Sequence, residues 1–440
     1  MRARVQTSPV YPYIVVVMLG LIYTFNFLDR QILSVLAEPI RKDLNLSDTQ
    51  LGMLTGLAFA VFYTTFGIPL AWMADRVRRV WIIAACCTVW SLFSAACGLA
   101  NNFLQLALAR MGVGVGEAGG NPSSYSLISD YFPSERRGMA LGLYQLGLPL
   151  GSTAGLAAGG WIAAEHGWRV AFFSVAAPGV LLALLLVLVV REPQRGALDR
   201  PANGQAHEPT PPLMRGIAAF LGDPVLRSTT VATCCAAFIL YAFISWAPAF
   251  LMRVRGMSLT DIALYYSLTS GAGAVVGTLG GGLLVDRLRR WSMRAYALTP
   301  GVAFLAALPL FLGFLWAPTW QSAMIFLGLL SSLLNIYQAP ILTIVQNTAP
   351  PARRAVSAAM MLFIVNLVGL GCGPLLVGMI SDHVSAEYGE RSLLFGLLGL
   401  APVFLFAAVS FYFASRAIGR RGKLQQDAIS DSMTAPVPLT

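Results

Sequence analysis

Four ionisable residues fall inside stretches apolar enough to lie in lipid: Asp29 and Arg30 in the first, Arg110 and Glu117 in the fourth. A charge at the centre of a membrane helix costs about 2.5–3.5 kcal/mol even on insertion scales, so such residues mark a solute or proton path by default. Arg110 and Glu117 differ by only about 20° around a helix axis and about 10 Å along it, so they line one face. Asn121 lies near that stripe, and Gly114 stands between the charges, where it is expected to leave room for a side chain or ligand. On the first helix Asn26 and Asp29 are one turn apart, whereas Arg30 is rotated by about 100° from Asp29, so the two acid and base groups cannot both point squarely into one cavity.

The chemistry these types suggest is proton exchange at Asp29 and Glu117 and anion binding at Arg110, whose planar fork of donors suits phosphate or carboxylate. An anionic group arriving at Arg110 competes with the carboxylates for that cation, which links binding to protonation. The alternative is a set of structural ion pairs locking helix one to helix four, a reading that fits Arg30 better than the others. Against it, the glycines around Glu117 (Gly112, Gly114, Gly116, Gly119 and Gly120) are expected to open space rather than close it. A dinucleotide loop is excluded for this run, because that fingerprint needs a strand before it and a soluble βαβ unit around it.

The elements that must position these residues follow from composition: 57% of residues are hydrophobic and only 11% charged, where a soluble domain carries roughly a quarter charged. This is an all-α integral membrane protein. Crossing about 30 Å of hydrocarbon takes roughly 20 residues, and twelve such spans are read at about residues 12–37, 50–74, 80–99, 103–128, 138–163, 169–190, 226–252, 262–285, 293–316, 320–346, 354–382 and 390–416. The first follows Arg2 and Arg4, is longer than a signal-peptide core and lacks a convincing cleavage site, so it reads as a retained span. The segment 191–225 is rich in proline and charge (Pro193, Pro201, Pro209, Pro211, Pro212) and reads as a linker between an N-terminal half, 12–190, and a C-terminal half, 226–416. Residues 1–11 and 417–440 are the terminal tails.

Lys and Arg in the loops set orientation. Of the 30 in the chain, 22 fall on the side that holds both termini and the linker, and six on the other, so that first side is expected to be cytoplasmic. Short, scattered basic groups of this kind suit anionic headgroups rather than nucleic acid. The six cysteines, Cys86, Cys87, Cys97, Cys234, Cys235 and Cys372, sit in apolar runs without partner histidines and read as small packing residues, so neither a metal site nor a disulfide framework is expected. No nucleophile–base constellation suggests an enzyme, and no cofactor is implied.

An internal repeat links the halves. Ala71-Trp72-Met73-Ala74-Asp75-Arg76-Val77-Arg78-Arg79 after span two is matched by Gly282-Leu283-Leu284-Val285-Asp286-Arg287-Leu288-Arg289-Arg290 after span eight. Phe132-Pro133-Ser134-Glu135-Arg136-Arg137 after span four is echoed by Ala349-Pro350-Pro351-Ala352-Arg353-Arg354 after span ten. Two matched pairs in phase indicate duplicated halves. Asp75 and Asp286 sit where they can accept from a neighbouring helix N-terminus, and Arg76, Arg79, Arg287, Arg290, Arg136 and Arg137 where they can pair across the loops. These are the candidate gate residues, the alternative being plain topogenic charge. Glycines at four-residue spacing, Gly147, Gly151, Gly155 and Gly159 in span five and Gly273, Gly277 and Gly281 in span eight, allow helices to approach closely. Span eleven adds Gly369, Gly373 and Gly378, with Pro374 as a flexible point.

The loop signature, its second copy, the twelve spans and the linker resemble the major facilitator superfamily over residues 12–416, with Ala71 and Arg78 where that family usually has glycine. Asn26-Phe27-Leu28-Asp29-Arg30, Arg110 with Gly114-Val115-Gly116-Glu117-Ala118, and Tyr131-Phe132-Pro133 resemble its spinster-like transporters, most strongly over residues 20–145. That resemblance implies export of lysophospholipids or sphingosine-1-phosphate by alternating access. The charges agree with an amphiphile: all four lie in the first half, while spans seven to twelve offer apolar surface with a few polar points, Tyr241, Trp246, Asn335, Gln338 and Asn366. A headgroup on one half and a tail against the other is the expected arrangement.

The expectation is therefore a proton-coupled or proton-regulated secondary transporter of an amphiphilic, anionic, lipid-like solute, acting as a monomer in a bacterial inner membrane. Its partners are that small solute, protons and membrane lipids. A hydrophilic organic-anion or sugar carrier, a multidrug exporter of the same superfamily, and a non-transporting membrane receptor are the alternatives.

Overall fold

The protein is described here by a computed structural model, covering residues 10–74, 76–195, 213–349 and 354–434. Nine segments among these are long and apolar enough to cross a membrane. The ninth, Val356–Gly422, reverses at Gly389, whose φ of 53° places it in the left-handed region, and so holds spans eleven and twelve. Spans four and five are not among the nine, and each is built of two pieces, Phe103–Ala118 with Gly120–Tyr131, and Ser134–Gln145 with Gly147–His166. Twelve passes result.

The other passes are Tyr11–Leu44, Asp48–Ala74, Arg79–Leu99, Trp168–Val189, Pro224–Arg255, Leu259–Leu288, Ala295–Trp316 and 320–348. Two boundaries differ most from the sequence reading. Span one runs on to Leu44 because Pro39 does not stop it, and the chain turns only at Asn45 (φ 51°). Span twelve continues as helix to Thr434, so most of the expected tail is helical. Within the expected linker, Leu213–Gly222 forms a short helix whose Phe220 is buried.

Polar side chains start the helices where a backbone N–H has no partner inside the helix. Ser47 and Gln50 form a reciprocal capping box at span two, Asn102 caps span four, and Asp223 accepts from the amides of Val225 and Leu226 at span seven. Helix packing repeats between halves: span one packs on five, two on four and three on six, as seven packs on eleven, eight on ten and nine on twelve. The glycine stripes explain the tightest of these. A methyl group at Gly151 would lie 2.1 Å from the Thr24 carbonyl oxygen of span one, and one at Gly277 would lie 2.0 Å from the Ser332 carbonyl of span ten.

The halves meet through spans two and eleven, five and eight, and one and seven. Among the described residues, the hydrogen bonds that cross from half to half lie at the end opposite the linker, here the far end. Toward the linker end a Cβ on Gly67, Gly142 or Gly280 would meet nothing within 4 Å.

Cysteines follow the expected packing role only in part. Cys86, Cys87, Cys97 and Cys234 are buried and Cys235 half-buried, but Cys372 is exposed. It ends a π-helical stretch, Asn366–Cys372, that widens span eleven just before Pro374.

Candidate functional site

The four intramembrane charges form one cluster among spans one, two, three and four. Asp29, 1% exposed, accepts from the Ser94 hydroxyl of span three through Oδ1, and its Oδ2 has no hydrogen-bond partner. Arg30 turns the other way and donates from Nε to Glu117 Oε2. The angular offset between the neighbours on span one is thus met by different helices, span three for Asp29 and span four for Arg30.

Arg30 also sits among aromatic faces. Its guanidinium carbon lies 4.9 Å from the Phe27 ring centre, 4.8 Å from Phe59 and 4.6 Å from Tyr63. Each such contact contributes about 0.5–2 kcal/mol, more when desolvated. Arg110, only 2% exposed, stands 5.4 Å from the same Phe59 ring, and its Nε and Nη1 make no hydrogen bond. The remaining oxygen of Glu117, Oε1, is likewise unpartnered. Two cations face two carboxylates, so the cluster is formally neutral, yet donors and acceptors remain unsatisfied in a place where each costs about 1–3 kcal/mol.

The glycines near Glu117 do not open the space expected of them. A Cβ on Gly114 would lie 2.7 Å from the Phe59 carbonyl oxygen, one on Gly116 2.4 Å from the Trp90 nitrogen, and one on Gly112 2.3 Å from the Phe93 ring. These glycines let spans two and three press against span four, which brings Phe59 and Trp90 to the cluster. Only Gly120 has free space beside it. Glu117 instead faces a narrow cleft lined by Tyr23, Asn26, Trp90, Asn121, Ser124 and Tyr144. Within it Tyr144 donates to Asn121 Oδ1 at 2.6 Å and stacks on Tyr23 with ring centres 4.6 Å apart.

The C-terminal half brings Tyr241 within electrostatic reach of Arg30 and Tyr63. Trp246 is fully buried and its indole N–H donates to the Pro374 carbonyl at 2.8 Å, holding span seven to span eleven. Asn335 donates to Ser331 O at 2.7 Å and accepts from Gln338 Nε2 at 2.5 Å. Asn366 opens the π-helical stretch of span eleven and is half-buried.

The linker-end set is dispersed. Asp75 lies outside the described residues. Asp286 is exposed and pairs with Arg289 one turn on, at 3.2 Å; Arg287, Arg290 and Arg136 are also exposed. Arg76 lies over the Trp72 ring at 3.9 Å, and Arg137 donates to the Ser129 carbonyl at 2.7 Å. Arg79 is different, being 1% exposed and bound to Asp130 at 2.5 Å, Glu192 at 2.8 Å and Ser126 at 2.8 Å, which anchors the first linker residues to spans three and four.

Sequence reasoning missed Ser94, Phe59 and Tyr63. A serine pair one turn apart in the apolar third span, Ser91 and Ser94, and an i, i+4 aromatic pair in the second were the available signals.

Comparison with known proteins agrees with this architecture. The Major Facilitator Superfamily profile matches residues 19–374. An "MFS-type efflux pump" of Mycolicibacterium smegmatis is 35% identical over 403 residues, covering 90% of this chain and 91% of the relative. "Protein spinster homolog 1" of Mus musculus is 28% identical over 430 residues, covering 90% of this chain and 79% of the relative. A crystal structure of a bacterial homolog to the human lysosomal transporter Spinster, in an inward-facing and unoccupied conformation, superposes with a TM-score of 0.86 at 31% identity, over 94% of this chain and 99% of that one. The chain belongs to the Major Facilitator Superfamily of multi-pass membrane transporters, among which it is similar to the spinster-like proteins.

Proposed function

We propose that this transporter moves an amphiphilic, anionic, lipid-like solute of the lysophospholipid or sphingoid-phosphate kind, coupled to or regulated by protons at Asp29 and Glu117. The observation that carries the reading is Arg110, a guanidinium almost wholly buried with Nε and Nη1 unbonded. An anionic headgroup satisfies those donors, and its arrival redistributes charge toward Asp29 Oδ2 and Glu117 Oε1, which have capacity to hold a proton. Asn26, Asn121 and Arg30 frame the headgroup, and Tyr241, Trp246, Asn335, Gln338 and Asn366 belong to the half that faces the tail. The resemblance to spinster-like transporters implies a lipid-like solute by analogy.

The linker-end set, Asp75, Arg76, Arg79, Asp286, Arg287, Arg290, Arg136 and Arg137, is assigned to closing that end in the alternate state. Both termini, the linker 191–225 and this end are placed in the cytoplasm on the loop-charge distribution, with the monomer as the working unit.

A second reading draws on the polar cleft of Asn26, Asn121, Ser124 and Tyr144 beside Glu117. It suits a small hydrophilic anion, and a hexuronate transporter of Bacillus subtilis is 27% identical over 395 residues. Thermal shift with lysolipids, sphingoid phosphates, hexuronates and cationic drugs separates the readings, since a ligand of the folded state raises its melting temperature. Stabilisation by hexuronates alone would overturn the lipid assignment. Flux in proteoliposomes at several pH values then tests the proton link, and transport indifferent to a pH gradient would remove it.

A further inference from the structure

The side chain of Arg253, at the far end of span seven, is buried and reaches across to the N-terminal half. Its Nε and Nη2 donate to Glu38 Oε2 of span one at 3.0 and 2.7 Å, and its Nη1 and Nη2 donate to Asp48 of span two at 2.7 and 2.9 Å. The side chains of Arg253, Glu38 and Asp48 are 3%, 4% and 5% exposed, so water screens them little. Asp48 also accepts from Ser381 of span eleven at 2.6 Å, and Arg41 holds Glu38 from its own helix at 2.9 Å.

One residue beyond Ser381, Asp382 makes a second bridge. Its two oxygens accept from the backbone N–H groups of Asp48 and Thr49 at 2.9 and 2.7 Å, which are the first, unpaired amides of span two. A carboxylate there also complements the positive end of the helix dipole. The approach needs Gly378, one turn earlier on span eleven, because a Cβ at that position would lie 2.2 Å from the Asp48 carbonyl oxygen. Gly378-Met379-Ile380-Ser381-Asp382 has the same pattern as Ala71 to Asp75 and Gly282 to Asp286, a small residue, three spacers and an aspartate. It stands at the opposite end of the molecule.

We infer that Arg253 and Asp382 form a two-part latch that holds the far end closed, whatever the solute. The arginine bridges spans one and two to span seven, and the aspartate caps span two from span eleven. Both join the same short turn, Asp48 and Thr49, so neither half can swing away without breaking both. Removing either partner leaves charge or amides buried and unpaired in the far-closed state only, which favours the far-open state.

Spin-label pairs in a cysteine-free background test this, with Asn101→Cys and Glu390→Cys reporting the far end and Arg78→Cys and Trp291→Cys the linker end. All four positions are exposed. Arg253→Ala and Asp382→Asn should each lengthen the far-end distance and shorten the linker-end distance, changing the ratio of the two states by about tenfold or more. Arg253→Lys, which keeps charge but cannot fork between two carboxylates, should fall between parent and Arg253→Ala and covers the case in which alanine prevents folding. Unchanged distributions at both ends, or a broadening of both without opposed shifts, would overturn the latch, the second outcome marking these residues as general packing contacts.

Discussion

Arg30 donates to Glu117 while Arg110, on the same helical face as Glu117, keeps two nitrogens unbonded. The two arginines therefore have different work. Span one supplies the cation that compensates the carboxylate of span four, and span four's own cation is left with donor capacity. A pairing of Arg110 with Glu117 along one helix would have closed the cluster upon itself, since seven residues separate them by about 10 Å and each would have bent toward the other.

If Glu117 and Asp29 exchange protons, removing their ability to ionise should remove the pH dependence. Glu117→Gln keeps the shape and one hydrogen bond to Arg30, so it should elute as folded protein on size exclusion yet transport at a rate indifferent to pH. Asp29→Asn should impair the same step, since the amide still accepts from Ser94 but carries no charge. Flux in proteoliposomes across pH 5 to 8 reads both, and a parental profile in the two variants would dismiss titration from the cycle.

The Arg30–Glu117 pair also makes a prediction about stability. Arg30→Ala leaves a carboxylate buried without its partner, a loss of about 3–5 kcal/mol in such settings. Adding Glu117→Gln removes the uncompensated charge, so the double variant should recover much of the loss, and the two changes should be strongly non-additive. Melting temperatures in detergent supply the four corners of the cycle. Additive changes would mean that the pair is not coupled in the folded protein.

Close helix approach at Gly114 can be tested without touching a charge. Gly114→Ala places a methyl group 2.7 Å from the Phe59 carbonyl oxygen and 3.2 Å from the Tyr63 nitrogen, both backbone atoms that cannot rotate away. Overpacking of this sort costs about 1–3 kcal/mol. Gly120→Ala, beside open space, should be close to neutral. Equal melting temperatures for the two variants would show that span two does not press on span four at Gly114.

What the sequence displayed and what it hid divide along physical lines. Spans, repeat and charges were visible because hydrophobic length, loop signatures and buried ionisable residues are local properties of the chain. The partner of each charge was not, because a helical wheel states which residues share a face and never which neighbouring helix that face meets. Gly114 and Gly116 show the same limit: a missing side chain either opens a cavity or admits a neighbouring backbone, and only the packing of spans two and three decides. Arg253, one of the six loop cations counted on the far side, gave no sign of its role for a related reason, since its partners Glu38 and Asp48 lie more than two hundred residues away in sequence.

Arg110 carries the sharpest consequence of the proposed function. It is the buried in-membrane cation with Nε and Nη1 free, so an anionic ligand should depend on it more than an uncharged analogue with the same tail. Lysine retains the charge but loses the planar fork, so Arg110→Lys should weaken binding partly and Arg110→Ala severely. A charge-assisted hydrogen bond contributes about 1.5–3 kcal/mol, which puts the expected loss for alanine at roughly ten- to a hundredfold in affinity for the phosphorylated ligand. The uncharged analogue, held by its tail, should lose little. Titrating both ligands against parent and variants in detergent, with folding confirmed by size exclusion, decides the matter: equal losses for the two ligands would make Arg110 a structural residue and move the headgroup elsewhere.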